Sequence, residues 1–334
     1  MSSQLLRAAI VGCGVNGVGR GTDDGSDLWF THAGAYHRHP RVRVVAAADI
    51  SPERRERCRR VWGIDRLYDS ADALLDAEQV DVLSVCTPDD AHPDVALAAI
   101  AAGVPAVFCE KPIAATVADA ERMVDAARRR GVVLAVNHHR RWEAGHREAR
   151  AIVARGELGG ILSARVLFAG GLRRVGTHAV DLLRYFFGDV TNVLAATVSD
   201  GTRMRARLEF SGGVEAALDA WPKSGAEAFD LFELDVVGTR GRILVADLGA
   251  RIERWCVAPS DEYGGNLELS RYRSIIASDM RSAFLSGVDA VITARATDGR
   301  TASSGEDGLA ALRVLEAIDA AARATAAVGD TVPQ

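Results

Sequence analysis

The glycines Gly12, Gly14 and Gly17 spell GCGVNG directly after the first apolar run of the chain, RAAIVGCG. In that context glycine allows a tight turn and lets a pyrophosphate come close to the backbone at a helix N-terminus. Gly12, Gly14, Val15, Asn16 and Gly17 therefore read as a phosphate-binding turn; the competing reading is a tight turn with no ligand. A dinucleotide site also needs an acid for the ribose hydroxyls about 20 residues on. Asp49 ends the run VRVVAAAD, but 32 residues after Gly17. The stretch 18–30, rich in Gly and Asp and without helical period, reads as a 13-residue insertion, and setting it aside leaves 19. A carboxylate there accepts from the ribose and repels a 2′-phosphate, which favours NAD over NADP; Arg54 and Arg55 nearby weigh the other way. Two more segments, CTPDDAH (Cys86 to His92) and CEKP (Cys109 to Pro112), each close a strand-like run, at the sheet edge where open α/β sheets bind ligands. Of the 40 basic residues only Lys111 and Lys223 are lysine. A composition that writes its solvated cations as Arg makes a lysine at the end of a buried strand a candidate for chemistry.

The elements that must position these residues alternate in the first half of the chain. Short β-branched runs (RAAIVGCG, VRVVAAAD, VDVLSVCTP, VPAVFCEKP, VVLAV) are separated by segments with apolar residues at helical spacing, several stopped by Gly. That is the pattern of a doubly wound parallel sheet with helices on both faces. From about residue 160 the rhythm becomes strands with little between them. In TRMRARLEF, Met204, Ala206, Leu208 and Phe210 alternate with charged neighbours, which predicts a mostly antiparallel, one-side-wet sheet. One helix, GTHAVDLLRYFFG, interrupts it and two more close the chain. The expected fold is α/β plus α+β: a Rossmann domain over residues 1–137 and an open-sheet domain over 138–334.

Taken in order, GCGVNG, Asp49, CTPDDAH, CEKPIA, VNHHRRW and GTHAVDLLRYFFGD resemble the Gfo/Idh/MocA family, the group of glucose-fructose oxidoreductase and inositol dehydrogenase. The resemblance covers most of the chain. It implies NAD(P), a Rossmann domain with an open antiparallel sheet, and hydride transfer at a secondary alcohol of a sugar or polyol. By it Lys111 matches the catalytic lysine, Pro112 the commonly cis proline and His178 the second catalytic residue. Taking hydride from a carbinol carbon needs an acceptor for the hydroxyl proton and a cation for the developing oxyanion. Thr87, Pro88, His92 and Glu110 join the nucleotide-binding set, and Asn137, His138, Arg140, Trp142, Arg174 and Thr177 the substrate set. The family frequently carries Asp four residues before the histidine, where this chain has Arg174. That arginine either points to solvent or binds an anionic substrate group bidentately. Two other uses of the fold stay open: a dinucleotide-binding regulator without turnover, and a lyase or glycosidase that oxidises its substrate transiently.

Composition narrows the partners. Asp plus Glu number 45 and the net charge is -5, with 48% apolar and 25% charged residues, so the chain offers no basic field to nucleic acid. The start, MSSQLLRAAIVGCG, turns to glycine too early for a signal peptide and no run spans a bilayer; a cytoplasmic protein is expected. The five cysteines include no C-x-x-C pair, and Cys86, Cys109 and Cys256 sit in apolar runs as expected buried thiols. His138 and His139 are adjacent and lack an acidic third ligand, so no metal is expected. His32, His37 and His39 read as the surface of the first helix and its exit, with His32 alternatively near the cofactor. A small carbohydrate-like substrate and a dimer or tetramer of the chain complete the expectation.

Overall fold

Six strands of the first half, β1 (Leu6–Val11), β2 (Val42–Ala48), β3 (Leu67–Tyr68), β4 (Val82–Val85), β5 (Ala106–Cys109) and β6 (Val133–Val136), form one parallel sheet in the order β3-β2-β1-β4-β5-β6. The computed structural model describes residues 5–19, 28–199, 203–223, 229–297 and 299–329. Between the strands run α1 (Val15–Val18), α2 (His32–Arg38), α3 (Pro52–Trp62), α4 (Ala71–Ala77), α5 (His92–Ala101) and α6 (Val117–Arg130). β4 and β5 are buried at every position, as strands covered on both faces must be. Local signals set the helix ends: Ser51 accepts from Arg54 N ahead of Pro52, and Gly63 closes α3 at φ +64°, where a side chain would strain. The strand order reverses between β1 and β4, the switch point at which such sheets bind ligands. The turns after β1 and β4, holding Gly12 and Thr87, flank that point. Part of the expected insertion, residues 20–27, lies outside the described residues.

The remaining strands, β7 (Ile161–Ala169), β8 (Val190–Ser199), β9 (Arg203–Phe210), β10 (Glu215–Trp221), β11 (Phe232–Gly238), β12 (Gly241–Ala246), β13 (Arg251–Pro259) and β14 (Leu267–Ile276), make a second sheet, ordered β14-β13-β12-β11-β7-β10-β9-β8. Every pairing is antiparallel except β10 with β7. β9 buries Met204, Ala206, Leu208 and Phe210, the alternation read from the sequence. α7 (Ala144–Ala154) packs on β13 and β14, and α8 (Thr177–Phe187) on β7. Polar side chains of the other face pair across strands: Asp219 of β10 meets Arg165 of β7 and Arg205 of β9. The sequence pattern predicts neither α7 nor β14. β14 is an edge strand, mostly exposed, so its sequence has no apolar face to show.

By contacts the chain divides into Met1–Trp142 with Arg281–Leu312, and Glu143–Met280 with Arg313–Gln334. The change of rhythm along the chain predicts a second domain over all of 138–334. Instead α9 (Ala283–Thr297) packs on α2 and β5, where Phe284 and Val288 join Phe108 and Trp142 in the first unit's core. The first turns of α10 (Gly305–Gly329) also count with the first unit.

Candidate active site

The glycine turn is built from two kinds of glycine. A side chain on Gly12 would place Cβ 2.4 Å from the Cys86 carbonyl carbon, and one on Gly17 would sit 2.1 Å from Gly12 O. Gly12 also has φ +94°, so both positions are closed to larger residues by the fold itself. Gly14 is different, since a Cβ there would meet nothing within 4 Å. The outward surface of the turn is Gly14, Val15 and Asn16, bare backbone followed by an exposed amide. Asp49 closes the far side. One carboxylate oxygen accepts from Cys13 N at 2.7 Å and the other from Ser51 N at 2.9 Å, leaving lone pairs for ribose hydroxyls. Arg54 stands 3.7 Å from it and Arg55 donates to its carbonyl. Across the switch point the buried Thr87 Oγ1 has no hydrogen-bond partner among the described residues. Open space at Gly14, a carboxylate with spare acceptors and an unsatisfied hydroxyl fit a dinucleotide.

Beside this turn lies a buried carboxylate, Glu110, at the end of β5. It is 4% exposed and accepts three side-chain donors: Asn16 at 2.9 Å, Asn137 at 2.7 Å and His32 Nε2 at 3.0 Å. Burial works against its charge, but the hydrogen bond and electrostatic pull of His32, the charge of Lys111 and the Asn137 amide outweigh it and hold Glu110 at about 2. The carboxylate is thus ionised next to Lys111, which is half-buried and joined to Pro112 by a cis peptide bond. His92 straps the neighbouring turns together, its ring nitrogens each 2.9 Å from a carbonyl, one of Thr87 and one of Pro112. Trp142 Nε1 donates to Asn137 Oδ1 at 3.3 Å behind the cluster.

In the second unit, β7 is followed by Gly170, with φ +129°, and a single π-helical turn, Leu172–Gly176, leads into α8. Isolated π turns of this kind recur at functional sites. Thr177 and His178 open α8 and are both buried, whereas Arg173 and Arg174 on the turn are exposed. Asp181 is buried one helical turn after His178.

A family model described as the oxidoreductase family with an NAD-binding Rossmann fold, Gfo/Idh/MocA, matches residues 6–138. The D-apiose dehydrogenase of Paraburkholderia graminis is 31% identical over 58% of this chain, so that the match spans about half, 52%, of that protein. The 1,5-anhydro-D-fructose reductase of Ensifer adhaerens is 29% identical over 86% of this chain and 91% of its own length. Among solved structures, a dehydrogenase from Chromobacterium violaceum superposes with TM-score 0.81 at 22% identity over 98% of both chains, a likeness of fold. Residues 6–138 thus match the Gfo/Idh/MocA oxidoreductase family, and the chain as a whole shares the fold of a solved dehydrogenase.

The structure brings together Gly14, Asn16, Glu110, Asn137 and the Lys111 turn in the first unit, and Arg174, Thr177 and His178 on one segment of the second. Several candidates take other places than their sequence context suggests. Glu110 and His92 are buried with their polar atoms bonded to protein groups, so they tie the neighbouring turns to one another. Trp142 is core, edge-on to Phe108 at 6.3 Å, and His138 and Arg140 are buried, with His138 3.4 Å from Ser303 Oγ. His32 and His39 are not surface residues: α2 lies against the sheet and α9, which buries His32 completely and sets His39 against Asp289, and only His37 of the three is exposed. Cys256, expected inside, is exposed because β13 lies beside the edge strand. The place of His32 is hard to see in the sequence. Its one signal was its position after the insertion, and its partners come from β4 and β5, far along the chain.

Proposed function

We propose that this protein is an NAD-dependent dehydrogenase that moves hydride between a secondary alcohol of a sugar, polyol or sugar acid and the nicotinamide, with NADP the poorer cofactor. One observation carries the reading: the turn bearing Lys111 is tied, through the ionised Glu110 and Asn16, to the glycine turn whose open face accepts the nucleotide. The relatives are sugar and polyol enzymes, including a D-glucoside 3-dehydrogenase of Escherichia coli, 31% identical over 56% of this chain and 56% of its own length. Gly12, Gly14, Val15, Gly17, Thr87 and Pro88 shape the nucleotide site, and Asp49 takes the ribose hydroxyls. The cofactor supplies the hydride acceptor. Lys111 accepts the hydroxyl proton or, as ammonium, steadies the oxyanion, and His178 relays the proton. Arg174, exposed on the turn before His178, pairs with a carboxylate or phosphate of the substrate. A second reading, a regulator that binds dinucleotide without turnover, is favoured by Arg174 standing where the family often has a carboxylate. The protein works as a cytoplasmic homo-oligomer; among the described residues no helix is long and apolar enough to cross a membrane.

Thermal unfolding with NADH, NADPH or neither, followed by turnover of a panel of neutral polyols and sugar acids, tests this. Ligand at about 100 times its Kd adds roughly 2.7 kcal/mol to the native state, so a larger shift with NADH is expected. Lys111→Met is expected to keep that shift and lose turnover by about 10²- to 10⁴-fold. Turnover surviving in Lys111→Met overturns the lysine's role, and NADH binding with no turnover of any substrate puts the regulator first. Turnover of neutral polyols alone removes the anionic role of Arg174.

A further inference from the structure

Behind the Lys111 turn, four buried polar side chains line up across three elements. Tyr36 OH lies 2.8 Å from Ser84 Oγ, Ser84 Oγ 2.7 Å from His32 Nδ1, and His32 Nε2 3.0 Å from Glu110 Oε1. Each of the four is buried, and the His32 ring is wedged against Phe108 at 4.7 Å and Phe284 at 5.6 Å. The chemistry of the ends sets the direction of the bonds. Glu110 is charged and only accepts, so His32 Nε2–H donates to it, while Nδ1 is held by the Ser84 hydroxyl, itself bonded to Tyr36. Burial keeps the Tyr36 hydroxyl protonated, so it stays a neutral hydrogen-bonding partner of Ser84. Packing alone gives no reason for such a chain, because apolar side chains of the same volume fill a core at no greater cost than a buried ion and its partners.

We propose that His32 is a positioning residue: by holding Glu110 in one rotamer it keeps the carboxylate bonded to Asn16 of the glycine turn and charged beside Lys111. The proposal rests on Lys111 being the catalytic lysine. The groups facing Glu110 are His32 from α2, Lys111 and Cys109 from its own strand and turn, and Cys86 after β4, with the neutral amides of Asn16 and Asn137. Burial and the charge of Glu110 push both thiols up, so they stay neutral. Without His32, burial acts on Glu110 with less opposition and its pKa rises. A protonated Glu110 no longer favours the Lys111 ammonium and holds Asn16 less well. Activity is then lost from the acid side of the pH profile, and the nucleotide turn loosens with it.

The test uses His32→Phe, which keeps the ring contacts and removes both hydrogen bonds, and His32→Gln, whose amide can still donate to Glu110. In His32→Phe the acid limb of kcat/KM is expected to move up by about one pH unit, which is tenfold in rate at a fixed pH on that limb, with a roughly tenfold rise in the Kd for NADH. In His32→Gln both are expected within about threefold of the parent. Adding His32→Phe to Glu110→Gln moves the limb no further, because no carboxylate is left to titrate. Should His32→Phe not fold, Ser84→Ala removes the hydrogen-bond partner of Nδ1 and is expected to move the limb the same way by less. A limb and an NADH affinity that stay put in the folded variant, whatever happens to stability or kcat, overturn the proposal and leave His32 a packing residue. Lys111→Met assayed in parallel separates the two failures. If that variant turns over, the reading of the site itself falls; if it is inactive while the limb is unmoved, only the role of His32 does.

Discussion

Glu110 of the first unit and Glu143 of the second are both buried and both held at about 2, and each has a buried histidine as partner. Their donors differ. Glu143 precedes α7 and caps it, accepting from His146 N at 2.8 Å, His146 Nδ1 at 2.7 Å and, on its other oxygen, Asp279 N at 2.9 Å. Most of what holds it is backbone that would otherwise be orphaned at a helix start. Glu110 takes only side chains from elsewhere, Asn16, His32 and Asn137, and it sits against a half-buried lysine. A depressed pKa thus marks a well-satisfied carboxylate in either unit, and the kind of donor separates a cap from a device that aligns two turns.

Exchanging the two carboxylates for neutral or truncated groups is the strongest way to break that contrast. Glu143→Ala is expected to lower unfolding free energy by about 3 kcal/mol, since buried donors lose their acceptor, with kcat/KM of the folded fraction unchanged. Glu110→Gln is expected to cost less stability, about 1 kcal/mol, and to lower kcat/KM at least tenfold. Equal catalytic losses in the two variants would erase the distinction. The pH dependence of stability sharpens it further. Both carboxylates have folded-state pKa values below their unfolded ones, so the stability they contribute is complete above about 4.3 and is lost as pH falls toward about 2. Acid titration of unfolding should therefore be flatter over that window in either variant than in the parent. Gly14→Ala sharpens the contrast on the ligand side. With nothing within 4 Å of the new Cβ, the unfolding temperature is expected to hold while NADH affinity falls, whereas Gly12→Ala is expected to destabilise the fold by roughly 2 kcal/mol or more. The smallest effect belongs to Asp219→Ala on the wet face of the second sheet, about 1 kcal/mol or less, measured by chemical denaturation.

Much of this molecule was legible in one dimension. Five of the six parallel strands announce themselves as β-branched runs, and the strand-end motifs around Gly12, Asp49, Thr87 and Lys111 fall where the sheet's ligand edge lies. β3, two residues long, is too short to carry a pattern, and β14 lacks a buried face to imprint one. Helix α9 reads as a closing helix of the second half, and nothing local tells that its Phe284 completes a core begun by Phe108.

The sequence by itself determined the class of fold, the glycine turn, the acid at the end of the second strand and the lysine after the fifth, because each depends on short-range spacing or on which residue types a backbone geometry admits. Only the tertiary structure decided that Glu110 points inward to Asn16, Asn137 and His32, that His32 is interior, and that His92 bridges two turns. Those are pairings between residues up to 94 positions apart. A buried charge is stable only where its partners converge from several elements at once, and that convergence is a property of how the elements pack.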